Sequence, residues 1–302
     1  MTATSVFVFL LLLVAAGRLL RRFEIVPASS PDTLNLLALY VSMPAAVLLN
    51  VPQLKLERAL LGVIATPWIL LAITIAIVVP LARIARLDRA TRACLLGEIP
   101  MGNTAFMGYA LVPALAGKEA LGYAVVYDQF GSFLILGTYG LFVIALHAGS
   151  ERPTARMIAK RVLTFPAFLA LVFALTLMPK APPEPVRRGL EMLSGMLLPL
   201  VALGLGMQLK LRLPRAYIKP LALGMIGKLV VLPLLAVGIC WVFGITGAMR
   251  SAVVLESAMP TMMTTGALLA LAGLAPDFAT AMVGYTTVAS VVTLPIVQRL
   301  LL

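Results

Sequence analysis

Long apolar segments, separated by short clusters of charged residues and prolines, run along the whole chain. The first of them, VFVFLLLLVAAG, lacks the alternation of apolar and polar residues that a strand of a transmembrane barrel requires. A helix that crosses a bilayer takes about 20 residues. The pattern therefore predicts an all-α integral membrane protein with ten transmembrane helices, which begin near residues 3, 33, 59, 92, 120, 162, 188, 216, 250 and 278.

The composition leaves little of the chain for regions other than transmembrane helices. Of 302 residues, 61% are hydrophobic and 12% are charged, about half the charged fraction of an average soluble domain. Ten spans would use about 200 residues, so no soluble domain is expected. Basic residues follow the first apolar segment, the reverse of a secretory signal peptide, which predicts that this segment is kept as the first helix.

The net charge of +12 indicates a membrane topology rather than a nucleic-acid partner, because the basic residues lie in short clusters between apolar segments. With ten spans, fifteen of the 24 Lys and Arg residues fall on one side of the membrane and eight on the other, with Lys228 inside a span. The richer side should be cytoplasmic. This predicts a multi-pass protein of the cytoplasmic membrane with both termini on the extracytoplasmic side.

The two halves of the chain resemble each other. Pro44–Leu56 (PAAVLLNVPQLKL) and Pro199–Leu211 (PLVALGLGMQLKL) share Pro, Gln, Leu, Lys and Leu at a constant offset of 155 residues. Arg92–Glu98 and Arg250–Glu256 each place a carboxylate six residues after an arginine. Matching helices are five apart, an odd number, so they cross in opposite directions. The sequence thus predicts a 5+5 inverted repeat, an architecture used by many secondary transporters.

Pro, Gly and polar residues interrupt the fourth and ninth predicted helices at matching positions. In inverted repeats, interrupted helices expose backbone polar groups at mid-membrane and form the substrate site. For either interruption taken alone, the alternative is an ordinary kink with interhelical hydrogen bonds. The candidate helix breaks are Pro100, Gly102, Pro260 and Gly266, and the candidate substrate-binding residues are Gly102, Asn103, Thr104, Lys228, Pro260, Thr264 and Thr265.

Four ionisable residues, Glu98, Asp128, Lys228 and Glu256, lie within predicted spans, where an ionisable side chain is costly. Intramembrane carboxylates are the usual carriers of coupling protons or cations, so the three acidic residues are candidate coupling groups. Lys228 is a candidate for attracting an anionic substrate. The alternative is a structural role, in which Lys228 forms a salt bridge with Glu256 or Asp128.

Other candidate chemistry is sparse. The chain has no zinc-protease, nucleophile-elbow or P-loop motif, so an enzyme is not expected. His147 has no second His or Cys nearby, and Cys94 and Cys240 lie in separate apolar segments, so neither a metal site nor a disulfide is predicted. No cofactor is expected beyond a coupling ion, H⁺ or Na⁺.

The stretch Lys228–Gly284 resembles the C-terminal half of the auxin efflux carrier family, which includes plant auxin carriers and bacterial organic-acid carriers. The family's landmarks occur in order: a basic residue before a Pro in helix eight, Ala258-Met259-Pro260 in helix nine, and Asp277 at the start of helix ten. In the first half, Gly102-Asn103-Thr104 and Tyr127-Asp128-Gln129 are similar to the family's Asn-Thr break and the helix that follows it.

The resemblance implies a fold shared with the related bile-acid:sodium symporters. Helices one, two, six and seven form a scaffold, through which homodimers form, and the other helices form a transport domain that moves as an elevator. The broken helices would cross at Asn103, Thr104 and Pro260. On this chain, the implied scaffold comprises residues 1–57 and 161–213, the implied transport domain comprises 58–147 and 214–302, and a cytoplasmic connection, 148–160, joins the halves.

Departures from the family pattern limit what carries over. The plant carriers have Pro where Gly102 stands, an amide where Glu256 stands and usually arginine where Lys228 stands, which argues against auxin itself as substrate. The sodium symporters place a Gln four residues after their acidic residue in helix nine. Here that position is Pro260, which has no side-chain oxygen, so sodium coupling is less favoured.

The sequence thus predicts a secondary active transporter, in the lipid bilayer, of a small organic anion. The anion would be a mono- or dicarboxylate, auxin-like or malate-like, moved by an elevator mechanism coupled to protons or sodium. Two rivals share the fold. A passive channel or facilitator could line a pore with the same polar residues, and a membrane ligand sensor could bind the anion without moving it.

Overall fold

The computed structural model describes residues 3–54, 57–149, 154–209 and 215–302. Within these ranges the chain forms helices and no β-strand beyond one isolated bridge. The helices are α1 Ala3–Arg22, α2 Ser30–Gln53, α3 Ala59–Ile84, α4 Arg89–Glu98, α5 Thr104–Ala116, α6 Ala120–Ala148, α7 Ala155–Leu163, α8 Pro166–Thr176, α9 Glu184–Gln208, α10 Arg215–Val242, α11 Gly247–Ala258, α12 Met263–Leu271 and α13 Pro276–Leu301.

Six of these helices are long and apolar enough to cross a membrane: α2, α3, α6, α9, α10 and α13. Helices α5 and α8 are apolar but shorter. The prediction of an all-helical membrane protein is therefore confirmed. Helices α1, α3 and α6 begin at the predicted residues, 3, 59 and 120.

The connection between the halves differs from the prediction. Residues 150–153 lie outside the described residues, but most of the rest of the predicted loop 148–160 is helical, because α7 begins at Ala155. Helix α8 begins at Pro166, a few residues after the predicted start. The residue before a proline is driven towards extended backbone, and Phe165 has φ −75° and ψ 124°, which separates α8 from α7.

The helices pack in two groups. Helices α1, α2, α8 and α9 contact one another, with α1 against α9 and α2 against both α8 and α9. The second group comprises α3 to α6 and α10 to α13, in which α4 contacts α3, α6, α10, α12 and α13. Glycines bring α1 and α9 together: a Cβ at Gly17 would overlap the Leu203 carbonyl, and one at Gly206 would overlap the Val14 carbonyl.

The stretches that resemble each other lie at equivalent places, since the first closes α2 and the second closes α9. Their last two residues, at positions 55–56 and 210–211, lie outside the described residues.

Wider, π-helical turns interrupt several helices. Asp128–Ser132 forms such a turn in α6, and Gly227–Val231 forms one in α10. Helix α5 begins with another, Thr104–Gly108. Such turns are rare and often mark functional sites. Here they contain Asp128, Lys228 and Thr104, three of the candidate site residues.

Candidate functional site

Two non-helical segments meet in the interior of the second helix group. Helix α4 ends at Glu98 and α5 begins at Thr104, while α11 ends at Ala258 and α12 begins at Met263. The intervening segments pair in an antiparallel manner. Asn103 N donates to Pro260 O at 2.7 Å, and Met262 N donates to Met101 O at 3.0 Å. Gly102 and Thr261 lie opposite each other between these two bonds.

Local sequence explains why the helices stop there. Pro100 and Pro260 cannot donate a backbone hydrogen bond. Ile99, before Pro100, keeps helical angles, φ −62° and ψ −51°, whereas a proline favours extended backbone in the residue before it. Met259, before Pro260, has φ −58° and ψ 143°. Asn103 caps α5, because its side-chain oxygen accepts from Met107 N at 3.4 Å. Around Pro100, Gly102 and Pro260, backbone polar groups thus pair with the opposite segment instead of within a helix. Gly266, the fourth predicted break, lies inside α12.

Gly102 allows a close approach at the centre of the pairing. A Cβ at this position would lie 3.1 Å from Lys228 Nζ and 3.3 Å from Glu256 O. Only a residue without a side chain fits there without moving the lysine. Gly102 therefore allows Lys228 to lie next to the paired backbone.

Asp128 is held by three hydrogen bonds. Thr104 Oγ1 donates to Oδ1 at 2.5 Å, and both Tyr109 Oη and Gln129 Nε2 donate to Oδ2, at 2.9 and 2.7 Å. Asp128 itself is 1% exposed. Three donors are the environment that an ionised carboxylate needs in the absence of water. Asp128 is therefore built in as a fixed acceptor.

Lys228 is buried, with 1% of its surface exposed. Its Nζ donates to Ser257 O at 3.3 Å, at the end of α11. Neither Glu256 nor Asp128 forms an ion pair with it within 4 Å; the ion pairs among the described residues all join Arg187 or Arg188 to Glu184 or Glu191. The structure therefore does not contain a direct salt bridge of Lys228 with Glu256 or Asp128. Most of the donor capacity of Lys228 is unused.

Glu256 and Glu98 are both 0% exposed, and neither has a hydrogen-bond partner on either carboxylate oxygen among the described residues. Glycines accommodate both side chains. A Cβ at Gly108 would overlap the Glu256 carboxylate, and one at Gly266 would lie 3.1 Å from Glu98 Oε1. The charges of Asp128 and Lys228 both act on Glu256. The three candidate carboxylates thus differ sharply in their surroundings.

The other sequence candidates lie close by. Thr265 is buried and its hydroxyl contacts Met101 Sδ at 3.4 Å, whereas Thr264 is half-buried. Asn103 Nδ2 and Thr261 Oγ1 are buried without a partner in the part of the chain that the structure describes. Three side chains at the paired segments therefore have unused hydrogen-bonding capacity. They are the Asn103 amide, the Lys228 amino group and the Thr261 hydroxyl.

Sequence reasoning missed the partners of Asp128 and some residues around the pairing. Tyr109 and Gln129 hold Asp128, Ser257 accepts from Lys228, and Thr286 Oγ1 accepts from Thr261 N at 3.2 Å. Gln129 carried a usable signal, because it is a second polar residue beside Asp128 in an apolar segment. Tyr109 carried none, since tyrosine is common in membrane helices.

Two cavities with several polar residues in their walls lie between the helix groups. One, of about 590 Å³, is lined by the end of α1, the start of α2, the end of α9, and residues of α12 and α13; its polar lining includes Arg21, Asp32, Gln208, Thr280 and Thr287. The other, of about 510 Å³, is lined by the end of α2, the residues before α6 and the start of α11. Together they reach both ends of α2, which at 24 residues is about 36 Å long.

The described residues contain no group of three or more His, Cys, Asp or Glu side chains that could hold a metal ion. What the arrangement offers instead is a buried cation, an unpaired amide donor and carboxylates with different partners, beside paired backbone segments. Such groups can bind a small anion and exchange a proton or cation.

Several helices long enough to cross a membrane, a buried polar cluster at interrupted helices, and cavities on two sides define a multi-pass membrane transport protein. The profile of the family described as "Membrane transport protein" matches residues 2–298. The chain therefore belongs to this family, and the resemblance to the auxin efflux carriers is confirmed.

Relatives of similar length support the assignment. The chain is 29% identical over 304 residues to an uncharacterized transporter of Methanothermobacter thermautotrophicus, covering 98% of this chain and 97% of that protein. It is 25% identical over 279 residues to an uncharacterized transporter of Methanocaldococcus jannaschii, covering 88% of each.

Proposed function

We propose that this protein is a secondary active transporter of a small organic anion, a mono- or dicarboxylate of auxin-like or malate-like type. The observation that carries the proposal is the pairing of the two non-helical segments beside Lys228 and Asn103. The Lys228 amino group and the Asn103 amide would bind the carboxylate of the substrate. Gly102, Thr104, Pro260, Thr264 and Thr265 complete the proposed site.

The proposed architecture is a 5+5 inverted repeat with ten membrane crossings. In it, α4 with α5 and α11 with α12 are the two broken helices, which cross where their non-helical segments pair. Matching positions of the two breaks in the halves of the chain support this reading.

An elevator mechanism follows from the proposed division into two domains. The scaffold would be α1, α2, α8 and α9, and the transport domain would be α3 to α6 with α10 to α13. The extensive packing of α1 against α9 and of α2 against α8 and α9 supports the division. So do the cavities, because they lie on the boundary between the groups at opposite ends of α2. Movement of the transport domain would open the site to one side and then the other.

The proposed setting is the cytoplasmic membrane, with both termini outside and homodimers formed through the scaffold. The 590 Å³ cavity would then face the cytoplasm, since it lies at the arginine-rich end of α1. Coupling would be to protons or sodium through Glu98, Asp128 or Glu256.

Counterflow in proteoliposomes tests the proposal. Vesicles loaded with unlabelled mono- and dicarboxylates are given trace labelled acid, with and without sodium and a pH gradient. We expect saturable exchange that Lys228→Ala reduces by about tenfold or more, because loss of one charge-assisted hydrogen bond removes about 1.5–3 kcal/mol. Lys219→Ala is the matched control, since Lys219 lies on the same helix but is exposed.

Each alternative has its own signature in this experiment. Linear flux without exchange would establish a channel or facilitator. Stabilisation of the purified protein by an acid that it does not exchange would establish a sensor. Equal exchange by wild type and Lys228→Ala would remove Lys228 from the site.

A further inference from the structure

Glu98, the last residue of α4, lies against the backbone of α12. Gly266 makes this possible, because a Cβ there would lie 3.1 Å from Glu98 Oε1 and 2.5 Å from Val283 Cγ2. Gly97 contributes from the other helix, where a Cβ would lie 3.2 Å from Leu269 Cδ1. Two glycines thus bring the Glu98 carboxylate to the surface of α12.

No described group compensates a charge on Glu98. Both carboxylate oxygens lack a hydrogen-bond partner, and no neighbouring charge acts on them. Five helices pack against α4. Tyr139 of α6 donates its hydroxyl to the Leu96 carbonyl, and Lys228 of α10 lies beside Gly102. Helix α12 has no titratable residue, α3 has only Arg83, and α13 has Asp277, Tyr285 and Arg299. Cys94, one turn earlier on α4, is the neighbouring titratable side chain.

A carboxylate in these surroundings is far more stable with a proton than without one. Burying an isolated ionised carboxylate carries a large desolvation cost, which protonation removes. Three donors offset part of this cost at Asp128, and the positive charge of Lys228 offsets part of it at Glu256, although the negative charge of Asp128 acts there in the opposite sense. Glu98 has neither form of compensation.

The same carboxylate is adjacent to a route for protons. Gly266, which contacts it, also lines the 590 Å³ cavity. The wall of that cavity includes Gln208 and Thr287, whose Nε2 and Oγ1 atoms have hydrogen-bonding capacity to spare within the described chain. Gly266 therefore connects the two places: it contacts the buried Glu98 carboxylate and it forms part of the cavity wall.

We infer that Glu98 is the residue that carries the coupling proton, and that it exchanges this proton with the cavity lined by Gly266. The inference rests on the proposed transport function and specifies its coupling ion. In this conformation Glu98 holds its proton as a neutral acid. When the carboxylic O–H bond breaks, the proton passes to solvent in the cavity and the electron pair stays on the carboxylate.

Infrared difference spectroscopy on the purified full-length protein tests the protonation state without any substrate. At neutral pH, the spectrum of wild type minus Glu98→Gln should contain the carbonyl band of a protonated carboxylic acid. That band should shift promptly in D₂O, because the cavity gives access to solvent. Glu24→Gln, the same change on an exposed carboxylate, is the control and should leave this band in place.

Bands of an ionised carboxylate in the difference spectrum would overturn the inference, as would an acid band that does not respond to D₂O. If Glu98→Gln does not fold, Glu98→Asp keeps the carboxyl group and should show the acid band at a shifted position.

Transport tests the coupling role. A one-proton carrier sustains about tenfold accumulation per pH unit of gradient. In Glu98→Gln, the ratio of gradient-driven accumulation to counterflow of the same labelled acid should therefore fall by about tenfold under one pH unit. An unchanged ratio would overturn the inference while leaving the proposed carrier intact. If wild type exchanges no acid of the panel, the proposed function fails, and the infrared result still decides whether Glu98 holds a proton.

Discussion

The surroundings of Asp128 and Glu98 are opposites, although both carboxylates are buried in the first half of the chain. Asp128 accepts hydrogen bonds from Thr104, Tyr109 and Gln129. Glu98 accepts none from any described residue. The three donors offset part of the cost of a negative charge on Asp128, whereas nothing described offsets that cost on Glu98, which favours the neutral acid there. Burial alone therefore does not distinguish these carboxylates, whereas the number of hydrogen-bond donors around each one does.

Glu256 lies between these extremes. Its carboxylate has no hydrogen-bond partner among the described residues. The negative charge of Asp128 disfavours a charge on Glu256, and the positive charge of Lys228 favours it. Gly108 provides its space. In the proposed function, a substrate carboxylate beside Lys228 would offset the positive charge that acts on Glu256.

Isosteric amides at the two opposite sites should break the comparison most strongly. In Asp128→Asn, an amide N–H₂ replaces an acceptor and faces donors, so we expect the free energy of unfolding to fall by about 2–4 kcal/mol. Glu98→Gln replaces a neutral acid by a neutral amide and should stay within about 1 kcal/mol of wild type. Chemical denaturation in one detergent measures both. Equal losses would mean that Glu98 is ionised in the folded protein.

A methyl group at Gly108 should have the next largest effect. The Cβ of Gly108→Ala would overlap the Glu256 carboxylate, and such overpacking costs about 1–3 kcal/mol. Gly137→Ala is the matched control, since nothing lies within 4 Å of its Cβ position and alanine favours the helix by up to about 1 kcal/mol. If Glu256 is the obstacle, Glu256→Ala should remove most of the Gly108→Ala penalty. Additive losses in the double variant would place the strain elsewhere.

The smallest effect is expected at Asp88, which precedes α4 outside the long helices. Partial burial raises the pKa of Asp88, but hydrogen bonds from the Thr91 hydroxyl and from the Thr91 and Ala90 amides outweigh it and leave the pKa below its ordinary value. The carboxylate before α4, Asp88, thus accepts three hydrogen bonds, whereas Glu98 at its end accepts none from any described residue.

A lowered pKa in the folded state means that ionised Asp88 stabilises the protein above the pKa of the unfolded chain. This contribution is lost as the pH falls through the folded pKa. Asp88→Asn still caps the helix but does not titrate, so wild type should lose at most about 1 kcal/mol relative to Asp88→Asn between about pH 6 and about pH 3. Parallel pH profiles of unfolding for the two proteins would contradict this assignment.

Much of the architecture could be predicted because it depends on local sequence. Apolar segments of helical length predicted the helices, and Pro100, Gly102 and Pro260 marked where helical hydrogen bonding stops. The start of α8 was misplaced because Pro166 overrides the apolar pattern on which the boundary was based. The predicted loop before it contains α7, since α7 is amphipathic and short, which apolar segments alone do not reveal.

The candidate site could be predicted in its residues but not in its contacts. Glu98, Asp128, Lys228 and Glu256 stood out because an ionisable residue in an apolar segment is rare. Because all four are ionisable residues in apolar segments, the sequence offers no way to rank them as site residues. Tyr109 and Gln129, which make Asp128 different from Glu98, lie 19 and 1 residues from it in sequence, and only Gln129 had a local signal.

Local sequence specifies the membrane class, the non-helical segments around Pro100 and Pro260, and the set of charges in apolar segments, because hydrophobicity and backbone propensity act over a few residues. The tertiary structure alone decided that Asn103 pairs with Pro260, that Gly102 receives Lys228 and that Gly266 brings Glu98 beside a cavity. Each of these three contacts joins residues more than 120 positions apart in sequence. Such contacts depend on how whole helices pack, and packing is set by the shape of both partners rather than by either sequence segment alone.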